Sequence, residues 1–269
     1  MDPDSVSSDL QKVSETDYFA DYLRFVDSIP QFRAIKERSY DALNLRDGCS
    51  VLDVGCGLGL DTCRMSVRVG STGRAIGLDS NRSMVSLAEK NTPPDLKSVT
   101  FMQGDIRSQL FPDHSFDAIH MERTLEHIED PGQVLDNLVR MLKPGGSMVI
   151  VEPDWETGTP DPGDRTAIRS LLSYCADNVG DGWIGRKLFG LLRKLGLEVR
   201  IEAEPVILYD YPTFKRLVIL DRFLLGAVQA GALSQHESDL LQEGWTQSAE
   251  RGLFFWSFLM FRAIGKKSG

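Results

Sequence analysis

The sequence predicts an α/β fold, a mostly parallel sheet with helices on both faces, and three observations predict it. Short apolar runs alternate with helical stretches from Ser50 to Val151. The runs are continuously apolar, as in strands buried on both faces. The first of them, VLDV, enters the glycine turn GCGLG and a helix start within residues 51 to 62. Strand, tight glycine turn and helix in that order let the backbone approach a bound nucleotide closely.

The elements follow in order. Residues 1 to 16, MDPDSVSSDLQKVSET, are polar and acidic and are expected to form a flexible terminus. Residues 17 to 43 carry helical patterning, with Tyr18, Tyr22, Phe25, Val26, Ile29 and Phe32 apolar and a break at Pro30, giving one helix or two. Val51 to Val54 reads as a strand, Asp61 to Val69 as a helix, and Arg74 to Leu78 as a strand ending at Asp79. Asn81 to Asn91 is a helix with Met84, Val85 and Ala88 on one face. Val99 to Met102 is a strand ending in Gly104-Asp105, and Phe116 to Met121 is another. A helix over Pro131 to Leu142 and a strand over Ser147 to Val151 complete the alternation.

The rhythm then changes. Leu188, Leu191, Leu192 and Leu195 mark a helix stopped at Gly196, before a strand over 197 to 203. A mainly helical stretch precedes a final strand over 253 to 264. The expected organisation is a single domain over 17–269, with a core at 45–155 and cap segments at 17–43, 152–184 and 209–250.

Composition excludes several partners. The chain has 269 residues, 42% hydrophobic and 26% charged, as in a globular domain. Its net charge of -9, with only Lys266-Lys267 as a basic cluster, argues against nucleic acid. No apolar run reaches the ~20 residues of a spanning helix, no signal peptide is evident, and LFFWSFLMF at 253 to 261 reads as a buried strand. Cys49, Cys56, Cys63 and Cys175 contain no CxxC pair, so a cytoplasmic location with reduced thiols and no metal is expected.

The glycines Gly55, Gly57 and Gly59 follow GxGxG, whereas a dinucleotide fingerprint needs GxGxxG and meets Leu60 here. Asp53 precedes them at the strand end, where a carboxylate suits a cationic group. NAD has no ammonium; S-adenosylmethionine has an ammonium and a sulfonium. Asp79, ending AIGLD, has the acceptor capacity for both ribose hydroxyls. Asp105, in MQGDI, could accept from an adenine amino group, with Ile106 against the ring. Ligands of open α/β sheets bind outside the carboxyl ends of the strands, where all these acids fall. The alternatives are a plain strand-helix turn, an N-cap at Asp79 (Ser80 or Asn81 serving equally) and a turn cap at Asp105.

VLDVGCGLG, AIGLDSN, QGDI, FDAIHMERTLEHIEDP and LKPGGSMVIVEP resemble the successive motifs of class I S-adenosylmethionine-dependent methyltransferases. The likeness is to the small-molecule branch of ubiquinone- and menaquinone-type enzymes and natural-product tailoring enzymes. It implies a Rossmann-like seven-stranded sheet whose last strand is antiparallel and inserted. It also implies that Gly55, Cys56, Gly57 and Gly59 line the methionine part and that Asp53 orients the amino group. Asp79 would hold the ribose and Asp105 with Ile106 the adenine, with Ser80, Met84 and Gly104 as further cofactor-binding residues. Glu122, Arg123 and Thr124 would lie beneath the sulfonium.

The implied reaction is methylation at oxygen or carbon of a small organic acceptor, a secondary metabolite, by a monomer or homodimer. The alternatives are a quinone-ring C-methyltransferase and a cofactor-binding protein without transfer, either a binding module or a cyclisation catalyst. A dehydrogenase is the remaining rival for the glycine turn. Candidate catalytic residues are His127, whose ordinary pKa suits a base, and Glu152 and Asp154 after the fifth strand. Tyr22, Trp155, Trp183 and Arg186 are candidates for the acceptor pocket, and His120 reads as a satisfied core residue. Phe214, Leu217, Val218, Leu220, Phe223, Leu224 and Leu225 offer the surface of an apolar lid.

Overall fold

Seven strands, β1 (Ser50–Val54), β2 (Arg74–Asp79), β3 (Val99–Gln103), β4 (Phe116–Glu122), β5 (Leu142–Asp154), β6 (Glu198–Leu208) and β7 (Trp256–Lys266), form one sheet in the order β3-β2-β1-β4-β5-β7-β6. The computed structural model describes residues 15–108 and 110–269. β1 to β5 pair in parallel, and β7 lies antiparallel between β5 and β6. This is the sheet that the resemblance implied. The strand order reverses between β1 and β4, which opens a crevice at their carboxyl ends.

Each central strand feeds two cores. Val51, Val149 and Val151 face one cluster, while Leu52, Met148 and Ile150 face the other. Successive side chains point to opposite faces, so a strand covered on both sides must be apolar throughout. Two helices precede the sheet, α1 (Glu15–Ser28) and α2 (Pro30–Ala42). Pro30 opens α2 at a position where its missing N–H costs nothing. The flexible terminus expected over 1 to 16 lies outside the described residues up to 14, and Glu15 and Thr16 already belong to α1.

The helices α3 (Leu60–Val69), α4 (Arg82–Asn91) and α5 (Pro131–Met141) connect the parallel strands. Gly59 starts α3 with φ 71°, and a β-carbon there would lie 2.5 Å from Phe101 Cε1, so this glycine lets the turn close onto β3. Asn81 caps α4 by accepting from the N–H groups of Ser83 and Met84. The capping role weighed for Asp79 therefore falls to Asn81.

Beyond β5 come α6 (Arg165–Asp177), α7 (Ile184–Lys194), α8 (Tyr211–Leu217), α9 (Leu220–Gln229) and α10 (Gln235–Glu250). None of the described helices is long and apolar enough to cross a membrane. Two strands outrun their apolar signal. β5 continues to Asp154 because Glu152, Pro153 and Asp154 pair with Phe261, Met260 and Leu259. β6 likewise continues to Leu208, opposite Trp256, where β7 begins. The polar residues after Val151 are thus strand, and their carboxylates are buried.

Candidate active site

A cleft of about 1780 Å³ opens at the carboxyl edge of β1, β2 and β4. One end is walled by Gly55, Cys56, Gly57, Asp79, Ser80, Met84, Gly104, Asp105 and Ile106, and its floor includes Glu122, Arg123 and Thr124. The other end is aromatic, with Tyr22 and Phe32 from α1 and α2, Trp155, Phe223 from α9, and Trp256 and Phe258 from β7. The sheet edge gathers the first set, and the cap segments together with the start of β7 supply the second.

At the glycine turn, Gly55 and Gly57 hold φ values of 72° and 50°, a left-handed backbone that costs glycine little. Asp79 fixes the turn: its Oδ2 accepts from the Gly57 N–H at 2.8 Å and its Oδ1 from the Asn81 N–H at 2.8 Å. Each carboxylate oxygen has two acceptor sites, so Asp79 retains capacity toward the cleft. Asp105 is more committed. Its carboxylate accepts from the Arg107 side chain at 2.6 to 3.0 Å and from the Arg107 N–H at 2.9 Å.

Asp53 is placed differently from the expectation. It is 3% exposed and does not line the cleft. Its Oδ2 accepts from the Thr62 hydroxyl at 2.6 Å, and its Oδ1 lies 2.9 Å from His120 Nδ1. Burial alone would push the His120 imidazole pKa down, but the hydrogen bond and charge of Asp53 outweigh it and hold it up. Thr62 and His120 therefore already engage both oxygens of Asp53. Gly59 does not line the cleft either, and it lies against Phe101. His120, expected to be satisfied, keeps a buried Nε2 without a partner.

The cleft floor holds a charge network that sequence reasoning missed. Lys36 of α2, 4% exposed, reaches Asp61 Oδ2 at 2.6 Å and Glu122 Oε1 at 2.9 Å. Tyr40 donates to Asp61, and Arg64 pairs with both Asp61 and Asp27. Burial would lower the Lys36 pKa, yet the charges of Asp61 and Glu122 raise it overall, keeping the ammonium charged. Arg123 adds to Glu122 Oε1 at 3.3 Å and lies over the Phe32 ring, 5.5 Å from its centroid. Its φ of 49° is unusual for a side-chain-bearing residue, and such strain concentrates at functional sites. A signal for Lys36 existed: the buried stripe of α2 is Phe32, Ile35, Lys36, Ser39 and Tyr40, so the lysine occupies an inward-facing position.

Of the three candidate catalytic groups, the structure brings only His127 to the cleft, with a side chain that is 64% exposed. Glu152 is fully buried beneath the segment after β4, its Oε1 accepting from the N–H groups of Thr124 at 2.9 Å and Leu125 at 2.7 Å. It anchors the cleft floor from below. Asp154, also buried, is clamped by Arg186 through both oxygens, and Arg186 lies over Trp183 at 5.0 Å. Glu152, Asp154, Trp183 and Arg186 do not line the cleft, because β5 extends to Asp154 and meets the start of α7 there.

Glu126 was overlooked. It is 5% exposed, lines the cleft and accepts from the Trp155 indole N–H at 2.8 Å. Burial raises its carboxyl pKa over the opposing effects of His127, Trp155 and Arg123. Tyr22 faces the same space and donates its hydroxyl to the Leu217 carbonyl at 3.0 Å, tying α1 to α8. No cluster of three or more His, Cys, Asp or Glu among the described residues is arranged for a metal ion.

The methyltransferase-domain family matches residues 45–180. The chain belongs to that family. An uncharacterised 37.1 kDa protein in transposon TN4556 of Streptomyces fradiae is 33% identical over 236 residues, covering 87% of this methyltransferase and 67% of the relative. A demethylmenaquinone methyltransferase of Bacillus licheniformis is 31% identical over 132 residues, 49% of this chain, and the match spans 56% of that protein. The crystal structure of a SAM-dependent methyltransferase from Aquifex aeolicus aligns with a TM-score of 0.50 at 26% identity, over 62% of this chain and 81% of that one. The methyltransferase is thus a small-molecule-branch member of class I, whose cofactor is S-adenosylmethionine.

The residues present suit that cofactor. Gly55 and Gly57 line the cleft with backbone alone, Asp79 has spare acceptor sites, and Met84 and Ile106 give apolar surface. A buried oxygen of Glu122, a residue of the cleft, has no hydrogen-bond partner among the described residues.

Proposed function

We propose that the protein transfers a methyl group from S-adenosylmethionine to oxygen or carbon of a small, partly apolar organic acceptor. One observation carries this reading: the strand-tip carboxylates and the aromatic wall share a single cleft. Ligand pockets commonly measure about 300–1,000 Å³, so a cleft of about 1780 Å³ has room for a nucleoside and a second molecule side by side.

Asp79 and Ser80 would hold the ribose, Gly104, Asp105 and Ile106 the adenine, and Gly55, Cys56 and Gly57 the methionine part. When bound, the cofactor supplies a methyl carbon already activated by its sulfonium. The protein's task is then to align the acceptor and exclude water. Tyr22, Trp155 and Phe223 would grip the acceptor, and Trp155 and Phe223 already lie 5.8 Å apart between ring centroids. Glu126, with His127 beside it, is the group placed to take a proton from a hydroxyl acceptor. Resemblance to tailoring enzymes supports a secondary metabolite in that role.

A quinone-ring acceptor is the second reading. It is supported by the aromatic end of the cleft, where Trp155, Phe223, Trp256 and Phe258 offer flat apolar surface. The demethylmenaquinone relative supports it too.

The test is incubation with methyl-labelled cofactor against a panel of phenols, enols and demethylmenaquinol analogues. Label in an acceptor together with S-adenosylhomocysteine supports the proposal, and the labelled product separates its two forms. Preferential calorimetric binding of NAD over S-adenosylmethionine would refute both.

A further inference from the structure

We infer that Glu122, and not Asp53, receives the ammonium group at the amino-acid end of the cofactor. The inference rests on the methyltransferase reading and assigns one contact within it. Among the described residues, three buried side-chain atoms lack a hydrogen-bond partner: His120 Nε2, Glu122 Oε2 and Glu152 Oε2. His120 and Glu152 do not line the cleft; Glu122 does, with a side chain only 4% exposed. Leaving a buried acceptor unpaired is costly, and a donor carried by the ligand would remove that cost.

The carboxylate is also held in position. Its Oε1 is held by Lys36 at 2.9 Å and Arg123 at 3.3 Å, which leaves Oε2 as the open acceptor. The glycine turn is nearby, because Thr124, two residues on from Glu122, packs against Gly55 and its hydroxyl lies 3.4 Å from the Val54 carbonyl. Asp53 offers no such opening: Thr62 and His120 occupy its two oxygens. Lys36 spends two of its three donors on Asp61 and Glu122.

Calorimetry with S-adenosylhomocysteine and its desamino analogue tests the assignment on the intact chain. The wild type should prefer the amino form by about tenfold or more, the size of a charge-assisted hydrogen bond. Glu122→Gln should erase that preference by weakening the amino form alone, whereas Asp53→Asn should keep it. A preference that survives in Glu122→Gln, or vanishes in Asp53→Asn, overturns the inference. Should either variant fail to fold, a crystal soaked with S-adenosylhomocysteine decides: the amine nitrogen belongs within hydrogen-bond distance of Glu122 Oε2, and any other acidic partner refutes the claim. Equal wild-type affinity for both ligands defeats the inference alone, while binding of neither defeats the methyltransferase reading with it.

Discussion

A β-carbon at Gly55 would lie 2.6 Å from Thr124 Cγ2, with the backbone at φ 72°. The glycine turn after β1 and the segment after β4 therefore touch at the one position where a side chain cannot fit. Gly55→Ala should lower stability by about 1–3 kcal/mol and weaken S-adenosylmethionine binding together. Adding Thr124→Ala should recover part of the stability by relieving the contact, though not the φ strain. Urea midpoints and calorimetric titrations of the three proteins check this; an unchanged midpoint in Gly55→Ala would show that the turn has room.

Asp79→Ala should cost cofactor affinity for two reasons at once. It removes the acceptor that fixes the Gly57 and Asn81 N–H groups and the carboxylate proposed for the ribose. A loss of about tenfold or more in affinity is expected. Equal dissociation constants for variant and wild type would take Asp79 out of the site.

Acid should find the floor network first. Burial opposes the Asp61 charge, but the Lys36 ammonium, the His120 charge and the hydrogen bonds from Lys36 and Tyr40 outweigh it and hold the carboxyl well below the usual range. A depressed folded pKa gives stability that is complete above the unfolded value, about pH 4, and is lost as the pH falls below it. Asp61→Asn should be less stable at neutral pH by about 3 kcal/mol, because Lys36 loses a buried partner. Its denaturation curve should converge with that of the wild type as the pH drops below about 4. Parallel curves would contradict the depressed value.

Glu152 should show the opposite sign. Burial, then the charge of Glu126, push its carboxyl well above the usual range despite the backbone donors. A raised carboxyl pKa means that the stabilising contribution is greatest below about pH 4.3 and declines as the pH climbs through the folded value. Glu152→Gln keeps an oxygen for Thr124 and Leu125 and cannot ionise. Its stability relative to the wild type should therefore improve as the pH rises, read from denaturant midpoints across the acidic to alkaline range. A difference independent of pH would refute the raised value.

Arg186→Met should separate stability from chemistry. The arginine clamps a buried Asp154 away from the cleft, so its loss leaves an unpaired carboxylate and costs about 1–3 kcal/mol. Cofactor affinity should not change. A selective loss of acceptor turnover in a folded variant would return Arg186 to the acceptor pocket.

The nucleotide end was legible in the sequence because its signals are local. An apolar strand covered on both faces has to stop where it meets solvent, and the chain marks two such stops with Asp79 and Asp105, whereas Asp53 is still inside β1. Which acid faces the cleft was not legible. Asp53 turns away because Thr62, on the next helix, and His120, on a strand far along the chain, claim its oxygens. The burial of Glu152 and Asp154 was hidden for a related reason: the ladder that carries β5 past Val151 is written in Phe261, Met260 and Leu259. Lys36 was readable in principle from its place on the buried stripe of α2, but its partners come from α3 and β4.

The late position of β7 in the chain has a consequence for biosynthesis. Until its residues leave the ribosome, β5 keeps a naked edge, β6 has nothing to pair with, and the cavity lacks Trp256 and Phe258. Their neighbours in the aromatic wall, Tyr22 and Phe32, are translated much earlier, with α1 and α2. A nascent polypeptide can thus assemble its nucleotide half long before the second compartment closes, and competence for the acceptor arrives only with the final strand.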